Sequence, residues 1–341
     1  MYNGQNFKLG DKMNRFLVFR LLPLLFFGLF VSNESNAYVN MHYFFKKLTV
    51  LTGPVPARGR YWEHHGVMRS LRTGMDKIKA PYNYNPISLD EIGDVVLVIS
   101  NSAAIRQAIE LKNKGKIKKL LVGPNFSPWD VNYPEIDVYI VPSDTVVPYT
   151  KDLAPAMAPR CRIWYVGVDP TFWIQSSDNY LNSKDVLIYW KTEGEDFCKQ
   201  VEDTVRAHGW NPKRLRFGSY NHSEYKELLS TCRFAIFISR NESQGIALAE
   251  AWAMNIPTLV WEPKEARIRG NKIVNYLSAA PYLTKSTGLF WKYVPDLENV
   301  LRTIETALPT FCPRSWVMEH MTDEISAYLL VDLVNKTVLG R

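Results

Sequence analysis

Short β-rich apolar runs alternate with amphipathic helical stretches along the chain from Leu48 onward. This alternation is typical of βαβ units, in which helices cover both faces of a mostly parallel sheet. After Asn101, for example, Ile105, Ala108 and Leu111 form an apolar stripe at helical spacing. The first half of the chain is therefore predicted to be an α/β domain, with strands at residues 48–51, 95–99, 119–122 and 138–141 and helices at 63–72 and 103–113.

A second alternating series follows a polar stretch at residues 175–179. It predicts strands at 186–190, 215–217, 234–238 and 257–261, and helices at 195–208, 223–230 and 246–254. A last helix is predicted at 315–334. The expected organisation is an N-terminal domain over 45–166, a linker over 167–184, a C-terminal domain over 185–310 and a C-terminal helical segment over 311–341.

Composition and charge limit the class of protein. The 341 residues are 46% hydrophobic and 22% charged, which is ordinary globular composition and excludes disordered, collagen-like and coiled-coil chains. The net charge is +7, and it falls to +5 when the first 37 residues are set aside. Such a small excess of positive charge suggests an anionic small ligand or a position near a membrane surface. We expect no nucleic-acid partner.

The four cysteines lie far apart, at positions 161, 198, 232 and 312. None of them forms the close pair that a zinc site or a redox motif requires. We therefore expect free thiols and no structural metal.

The first 37 residues resemble a targeting segment. Residues 21–31 are mostly apolar, Arg15 and Arg20 precede them, and a small-x-small pattern ends at Ala37. The apolar stretch is shorter than the roughly 20 residues that span a bilayer, although an uncleaved anchor remains an alternative to a signal peptide. Either reading predicts a membrane-associated or secretory protein, whereas translation from Met41 would produce a cytoplasmic one.

One segment carries most of the candidate chemistry. A predicted strand ends near Ser239, a polar loop contains Glu242, and Gly245 opens a helix that contains Glu250. Amides at a helix start carry the positive end of the helix dipole and can hold a diphosphate. Carboxylates on either side suit sugar and ribose hydroxyls. The expected donor-binding residues are Arg240, Ser243, Gln244, Gly245, Ile246 and Glu250; the alternative is an ordinary amphipathic helix with a solvated glutamate.

This segment resembles the Glu, seven residues, Glu motif of the retaining group 1 glycosyltransferases of the GT-B fold. Val166-Gly167-Val168-Asp169 is similar to the crossover between their two domains. The resemblance implies two Rossmann-like domains facing a cleft, with a C-terminal helix that returns to the N-terminal domain. It also implies that Glu242 contacts the donor sugar, that Glu250 contacts the ribose, and that neither a metal nor another cofactor is needed. The chain contains no Asp-x-Asp, the metal-binding pattern of the other major glycosyltransferase fold.

A cation is expected near the departing diphosphate, because it stabilises the developing negative charge. Lys191 directly follows the predicted strand 186–190 and fits one of the two basic positions of the family. The position five residues later is Asp196, so Arg240 or Lys199 would have to replace the second cation. Lys191 could also be an ordinary surface residue at a strand end.

The first domain offers candidates for acceptor or phosphate contact in the loop after its first strand: Gly53, Arg58, Gly59, His64 and His65. The loop is neither a Walker loop nor a Gly-x-Gly-x-x-Gly turn. His64 is a candidate catalytic residue, with a plain helix-start histidine as the alternative. Where many family members carry a histidine, this chain has Asn101 or Asn125 in later loops. Three loop tryptophans, Trp62, Trp129 and Trp173, could stack on sugar rings.

The predicted activity is glycosyl transfer, with retention of configuration, from a nucleotide-diphosphate sugar to a glycan, lipid or protein acceptor. Two alternative functions are compatible with the same sequence features. Another GT-B enzyme, such as a sugar-nucleotide epimerase, would bind the same nucleotide without an acceptor. An exported solute-binding protein would also have two α/β domains, but it would have no reason to prefer a nucleotide.

Overall fold

Two parallel sheets organise the protein in the computed structural model, which describes residues 42–53, 63–263, 266–268, 272–274 and 277–341. The first sheet has the order β2-β1-β3-β4-β5-β6, and all its strand pairs are parallel. Its strands are β1 (Leu48–Thr52), β2 (Tyr82–Tyr84), β3 (Val95–Ile99), β4 (Lys119–Val122), β5 (Val138–Val141) and β6 (Cys161–Ile163). We call this sheet and its helices the first lobe.

The second sheet has the order β13-β10-β9-β7-β8 and is also parallel throughout. Its strands are β7 (Asp185–Trp190), β8 (Asn211–Arg216), β9 (Phe234–Ile238), β10 (Thr258–Trp261) and β13 (Gly288–Trp291). A separate antiparallel pair consists of β11 (Ala266–Ile268) and β12 (Lys272–Val274). The five-stranded sheet and its helices form the second lobe. Both lobes belong to the unit Phe44–Arg341.

Helices cover both sheets, which explains why the central strands are apolar on both faces. All residues of β3 and β9, for example, are buried. The helices are α1 (Glu63–Lys77), α2 (Ser102–Asn113), α3 (Val146–Leu153), α4 (Glu195–Ala207), α5 (His222–Thr231), α6 (Ile246–Ala253), α7 (Val294–Ala307), α8 (Pro313–His320) and α9 (Asp323–Leu339). The predicted α/β class is confirmed.

The C-terminal stretch that periodicity predicts as one helix is in fact two, α8 and α9. The break falls at Met321 and Thr322, where the Thr322 hydroxyl accepts a hydrogen bond from the Ile325 amide and so caps α9. Helix α9 then packs on α1 of the first lobe, where a Cβ on Gly74 would lie 2.1 Å from the Asp323 carbonyl oxygen. The expected return of the chain to its N-terminal half is confirmed.

The crossover between the lobes is held by backbone contacts. Val168 pairs with Thr322 in an isolated parallel bridge. Gly167 lies so close to this bridge that a Cβ there would be 2.2 Å from the Thr322 carbonyl oxygen. Further along, Trp173 and Tyr180 are buried in the core of the second lobe. Trp173 therefore belongs to the core and is not available to stack on a sugar ring, because its side chain is fully covered.

Most central strands lie where the pattern predicts them, whereas several edge elements were missed. Strands β3, β4, β5 and β9 have the predicted bounds, but β2, β6, β13, α3 and α7 were not predicted. Strand β6 is a partly exposed edge strand of three residues, so it lacks the continuous apolar run of a central strand. The predicted targeting segment, residues 1–37, lies outside the described residues. Within the described residues, none of the helices combines the length and apolarity needed to cross a membrane.

Candidate functional site

One cavity lies where the carboxyl ends of the two sheets face each other. From the first lobe it is lined by Val67 of α1, by Pro124 and Asn125 after β4, and by Pro142 after β5. It encloses about 670 Å³ when its open mouth is included. From the second lobe the lining includes Tyr189, Lys191, Phe217, Tyr220, Phe237, Ser239, Glu242, Ser243, Gln244, Gly245, Ile246, Ala247, Leu248 and Ala279.

Lys191 and Glu242 form an ion pair in this cavity. The Lys191 ammonium nitrogen lies 3.0 Å from a Glu242 carboxylate oxygen and 4.5 Å from the centre of the Phe217 ring. Lys191 follows β7 and Glu242 follows β9, which are neighbours in the sheet although β8 lies between them in sequence. This change of direction is the switch point at which open α/β sheets bind ligands. The structure thus brings two predicted site residues together.

Arg240 does not line the cavity, contrary to its predicted place among the donor-binding residues. Its guanidinium group makes a two-point ion pair with Glu193, at 2.6 and 2.9 Å, and its backbone amide donates to the Thr192 hydroxyl. Lys199, the other candidate for a second cation, pairs with Asp203 on the exposed face of α4. Arg240 instead ties together the loops after β7 and β9, which carry Lys191 and Glu242.

Helix α6 begins at the cavity without a side-chain cap. Gly245 precedes it with φ of 84°, a left-handed conformation that favours glycine. The amides of Ile246 and Ala247 have no acceptor among the described residues, as expected for the first turn of an uncapped helix. This helix start can therefore accept an anion.

Glu250 lies one turn inside α6 and is fully buried. Neither of its carboxylate oxygens accepts a hydrogen bond from the described residues. The described basic side chains within 4.0 Å of its carboxylate are His222, with Nε2 at 3.3 Å, and Arg69, with Nη2 at 3.8 Å. A buried carboxylate with unused acceptor capacity is uncommon. Glu250, unlike Glu242, is not among the residues that line the cavity.

Gln244 serves the fold rather than a ligand with its side chain. The side-chain oxygen of Gln244 accepts a hydrogen bond of 3.1 Å from the backbone amide of Val166. Its side-chain nitrogen donates a hydrogen bond of 2.7 Å to the backbone carbonyl of Val166. The side chain expected to bind the donor is thus taken up by the crossover between the lobes. Ser243 and Ile246, its neighbours in the predicted set, line the cavity.

Three aromatic residues that were not predicted, Tyr189, Tyr220 and Phe237, also line the second-lobe side of the cavity. Tyr189 and Tyr220 share a hydrogen bond of 3.1 Å between their hydroxyls, and Phe237 packs on Tyr189. Burial raises the pKa of both phenols above their ordinary value. Each residue comes from a strand or the loop after it, where an aromatic side chain is not distinguishable from an ordinary core residue.

The first-lobe predictions have mixed outcomes. Asn101 caps α2 through a bond from the Ala104 amide and donates to the Thr52 carbonyl, so its side chain is used by the fold. Gly53 follows β1 close to the Ser100 carbonyl but does not line the cavity. The side-chain nitrogen of Asn125, by contrast, is buried at the cavity without an acceptor among the described residues. Arg58, Gly59 and the side chains of His64 and His65 lie outside the described residues.

Two residues near Glu250 were not predicted. Neither His222 nor Arg69 is among the predicted site residues. No local signal points to either, since they reach Glu250 from helices α5 and α1. Among the described residues, no group of three or more His, Cys, Asp or Glu side chains is arranged to hold a metal ion.

Comparison with known proteins agrees with this architecture. No family model matches the sequence, and no curated protein matches it. Solved structures do: HepE from Anabaena in complex with UDP covers 84% of this chain and 99% of its own, with a TM-score of 0.55 and 11% identity. A glycosyltransferase from Rickettsia africae has a TM-score of 0.56 at 11% identity, covering 86% and 99%. Sucrose-phosphate synthase from Thermosynechococcus elongatus has a TM-score of 0.56 at 10% identity, covering 87% and 100%. The chain has the GT-B fold.

Proposed function

We propose that this protein is a glycosyltransferase that uses a nucleotide-diphosphate sugar as donor. The observation that carries the proposal is the meeting of Lys191, Glu242 and the uncapped start of α6 in one cavity at the switch point of the second sheet. A cation and free amides suit a diphosphate, and the carboxylate beside them suits sugar hydroxyls. HepE, which has a similar fold, has been solved with UDP and with UDP-glucose.

In this proposal Lys191 and the first amides of α6 stabilise the charge that develops on the departing diphosphate. Glu242 contacts the donor sugar and Glu250 accepts hydrogen bonds from the ribose hydroxyls. The bond between the sugar C1 and the phosphate oxygen breaks, and a bond from C1 to the acceptor oxygen forms on the same face. The acceptor proton passes to the departing phosphate. The proposed reaction retains configuration and requires no metal.

The acceptor is proposed to be a glycan, lipid or protein bound from the first-lobe side of the cavity. Val67, Pro124, Asn125 and Pro142 line that side. The amide nitrogen of Asn125 is a donor available to a sugar or acceptor oxygen. Association with a membrane remains part of the proposal and depends on the segment at residues 1–37.

Ligand-observed NMR with UDP, GDP and ADP tests the proposal directly. We expect one of these nucleotides to saturate the wild-type protein and Glu250→Gln to bind it about tenfold more weakly, because ribose hydroxyls lose a charged acceptor. Glu227→Gln, a matched change on the exposed face of α5, should leave the affinity unchanged.

Other outcomes would favour other functions. Binding of free monosaccharides with no binding of any nucleotide would overturn the proposal in favour of a solute-binding protein. Conversion of a nucleotide sugar to its isomer without any acceptor would instead identify an epimerase.

A further inference from the structure

Beside Glu250 the two lobes meet through a cluster of three polar side chains. Arg69 extends from α1 of the first lobe, while His222 and Glu250 belong to α5 and α6 of the second. The Arg69 guanidinium group lies 3.1 Å from His222 Nδ1 and 3.8 Å from a Glu250 oxygen. His222 Nε2 lies 3.3 Å from the same oxygen. We call these three residues the inter-lobe triad.

The chemistry of the triad determines the state of the imidazole. A guanidinium group can only donate hydrogen bonds, so His222 Nδ1 must accept the bond from Arg69. The ring proton then lies on Nε2, which faces Glu250. Trp173 holds the ring in this orientation through an edge contact at 5.5 Å between ring centres. Arg69 thus leaves the imidazole N–H of His222 on the side of the ring that faces Glu250, 3.3 Å from the Glu250 oxygen.

Arg69 also supplies the charge that Glu250 needs. A fully buried carboxylate is costly unless a cation compensates it. Among the described lysine and arginine residues, Arg69 is the one whose side-chain nitrogen lies within 4.0 Å of Glu250. The Glu250 oxygens nonetheless keep their hydrogen-bonding capacity, because neither accepts a well-formed bond from the described residues.

Helix α1, which carries Arg69, is fastened to the crossover rather than to the second sheet. Ser70 Oγ accepts a hydrogen bond of 2.9 Å from the Gly167 amide. Gly74 lies against the start of α9 at Asp323. Arg69 therefore reaches Glu250 only when the lobes are in their present arrangement, and a movement of the first lobe away from the second would withdraw it.

We propose that Arg69 is a positioning residue for the nucleotide: it acts from the first lobe through Glu250 and makes donor affinity depend on closure of the lobes. This inference rests on the proposed function, in which Glu250 contacts the ribose. It adds that the nucleotide site is incomplete without the first lobe, although Arg69 itself need not touch the ligand.

The test measures the affinity of the full-length protein for whichever of UDP, GDP and ADP binds the wild type most tightly. We expect Arg69→Gln to weaken binding about tenfold, which lies within the usual range of coupling between sites. Arg69→Lys should restore part of the affinity, since it keeps the charge but loses the two-point geometry. Arg72→Gln is the matched control, because Arg72 lies exposed on the same helix, over the Tyr84 ring.

A double-mutant cycle with Glu250→Gln separates positioning from an independent contribution. If Arg69 acts through Glu250, the double variant should bind no more weakly than Glu250→Gln alone. Additive losses, or wild-type affinity in a folded Arg69→Gln protein, would overturn the inference and leave the proposed function standing. A wild type that binds no nucleotide would overturn both. Thermal unfolding of each variant identifies any loss of fold, and if Arg69→Gln does not fold, the same cycle is measured with Arg69→Lys.

Discussion

The Lys191 ammonium group contacts the Glu242 carboxylate and the Phe217 ring in the cavity, where the diphosphate of the proposed donor would lie. In the proposed reaction Lys191 contributes to catalysis more through its charge than through packing, because negative charge develops on the diphosphate as it departs. In the unliganded protein Glu242 balances this charge. A bound diphosphate would take over that role and release the carboxylate for the sugar.

Replacing Lys191 with methionine should therefore affect the reaction itself. We expect Lys191→Met to lower glycosyl-transfer turnover about 100-fold, since removal of one charge-stabilising group typically has this effect. Lys199→Met is the control, because Lys199 pairs with Asp203 on the exposed face of α4. Unchanged turnover and donor affinity in Lys191→Met, measured with a radiolabelled donor, would remove Lys191 from the site.

At the scale of elements, the start of α9 joins the first lobe to the crossover and contains a buried acid. Asp323 is its first residue, and burial raises the pKa of its carboxyl group to about 6 despite the opposing effects of Ser70 and Arg69. In the unfolded chain an aspartate titrates near 3.9. Between about pH 4 and pH 6 the folded protein thus holds a proton that the unfolded chain has lost, so this group makes stability fall as the pH rises through that window.

Urea unfolding between pH 4 and pH 7 tests this effect. The free energy of unfolding of the wild type should lose about 2–3 kcal/mol from this group across the window, a loss that Asp323→Asn should not show. Asp332→Asn, an exposed change on the same helix, should keep the wild-type dependence. Equal pH dependence in Asp323→Asn and the wild type would contradict the assignment.

At the scale of the whole molecule, the relation between the lobes depends on a close backbone contact. Gly167 lies against Thr322 and Asp323, and a Cβ there would approach their backbone atoms to 2.2–2.3 Å. Backbone cannot move aside as a flexible side chain can, so a larger residue must push the crossover and α9 apart. The inter-lobe triad would be separated by the same displacement.

Gly167→Ala should consequently destabilise the fold by about 1–3 kcal/mol or more, as overpacking does. It should also weaken nucleotide binding, since the first lobe would carry Arg69 away from Glu250. Thermal unfolding and small-angle scattering measure the two effects. Gly194→Ala is the control, because a Cβ there meets no atom within 4 Å. An unchanged radius of gyration and affinity in Gly167→Ala would show that the crossover tolerates the added methyl group.

Features that depend on neighbouring residues could be predicted from the amino-acid pattern alone. Strands β3 and β9 were predictable because a central parallel strand is a continuous apolar run. The uncapped start of α6 could be predicted from Gly245 and the small residues after it. Glu242 and Glu250 could likewise be selected as candidates, since a loop and a helix of known spacing place both carboxylates near that helix start.

Which of these side chains are available to a ligand depends on contacts that form only in the folded protein. Arg240 forms an ion pair with Glu193, and the side chains of Gln244 and Asn101 hydrogen-bond to the backbones of Val166 and Thr52. In each case the partner is distant in sequence. The triad of Arg69, His222 and Glu250 exists for the same reason, because helices from both lobes converge there. Periodicity reports which face of an element is apolar, whereas hydrogen-bond partners across lobes depend on how the elements pack, and no local pattern encodes them.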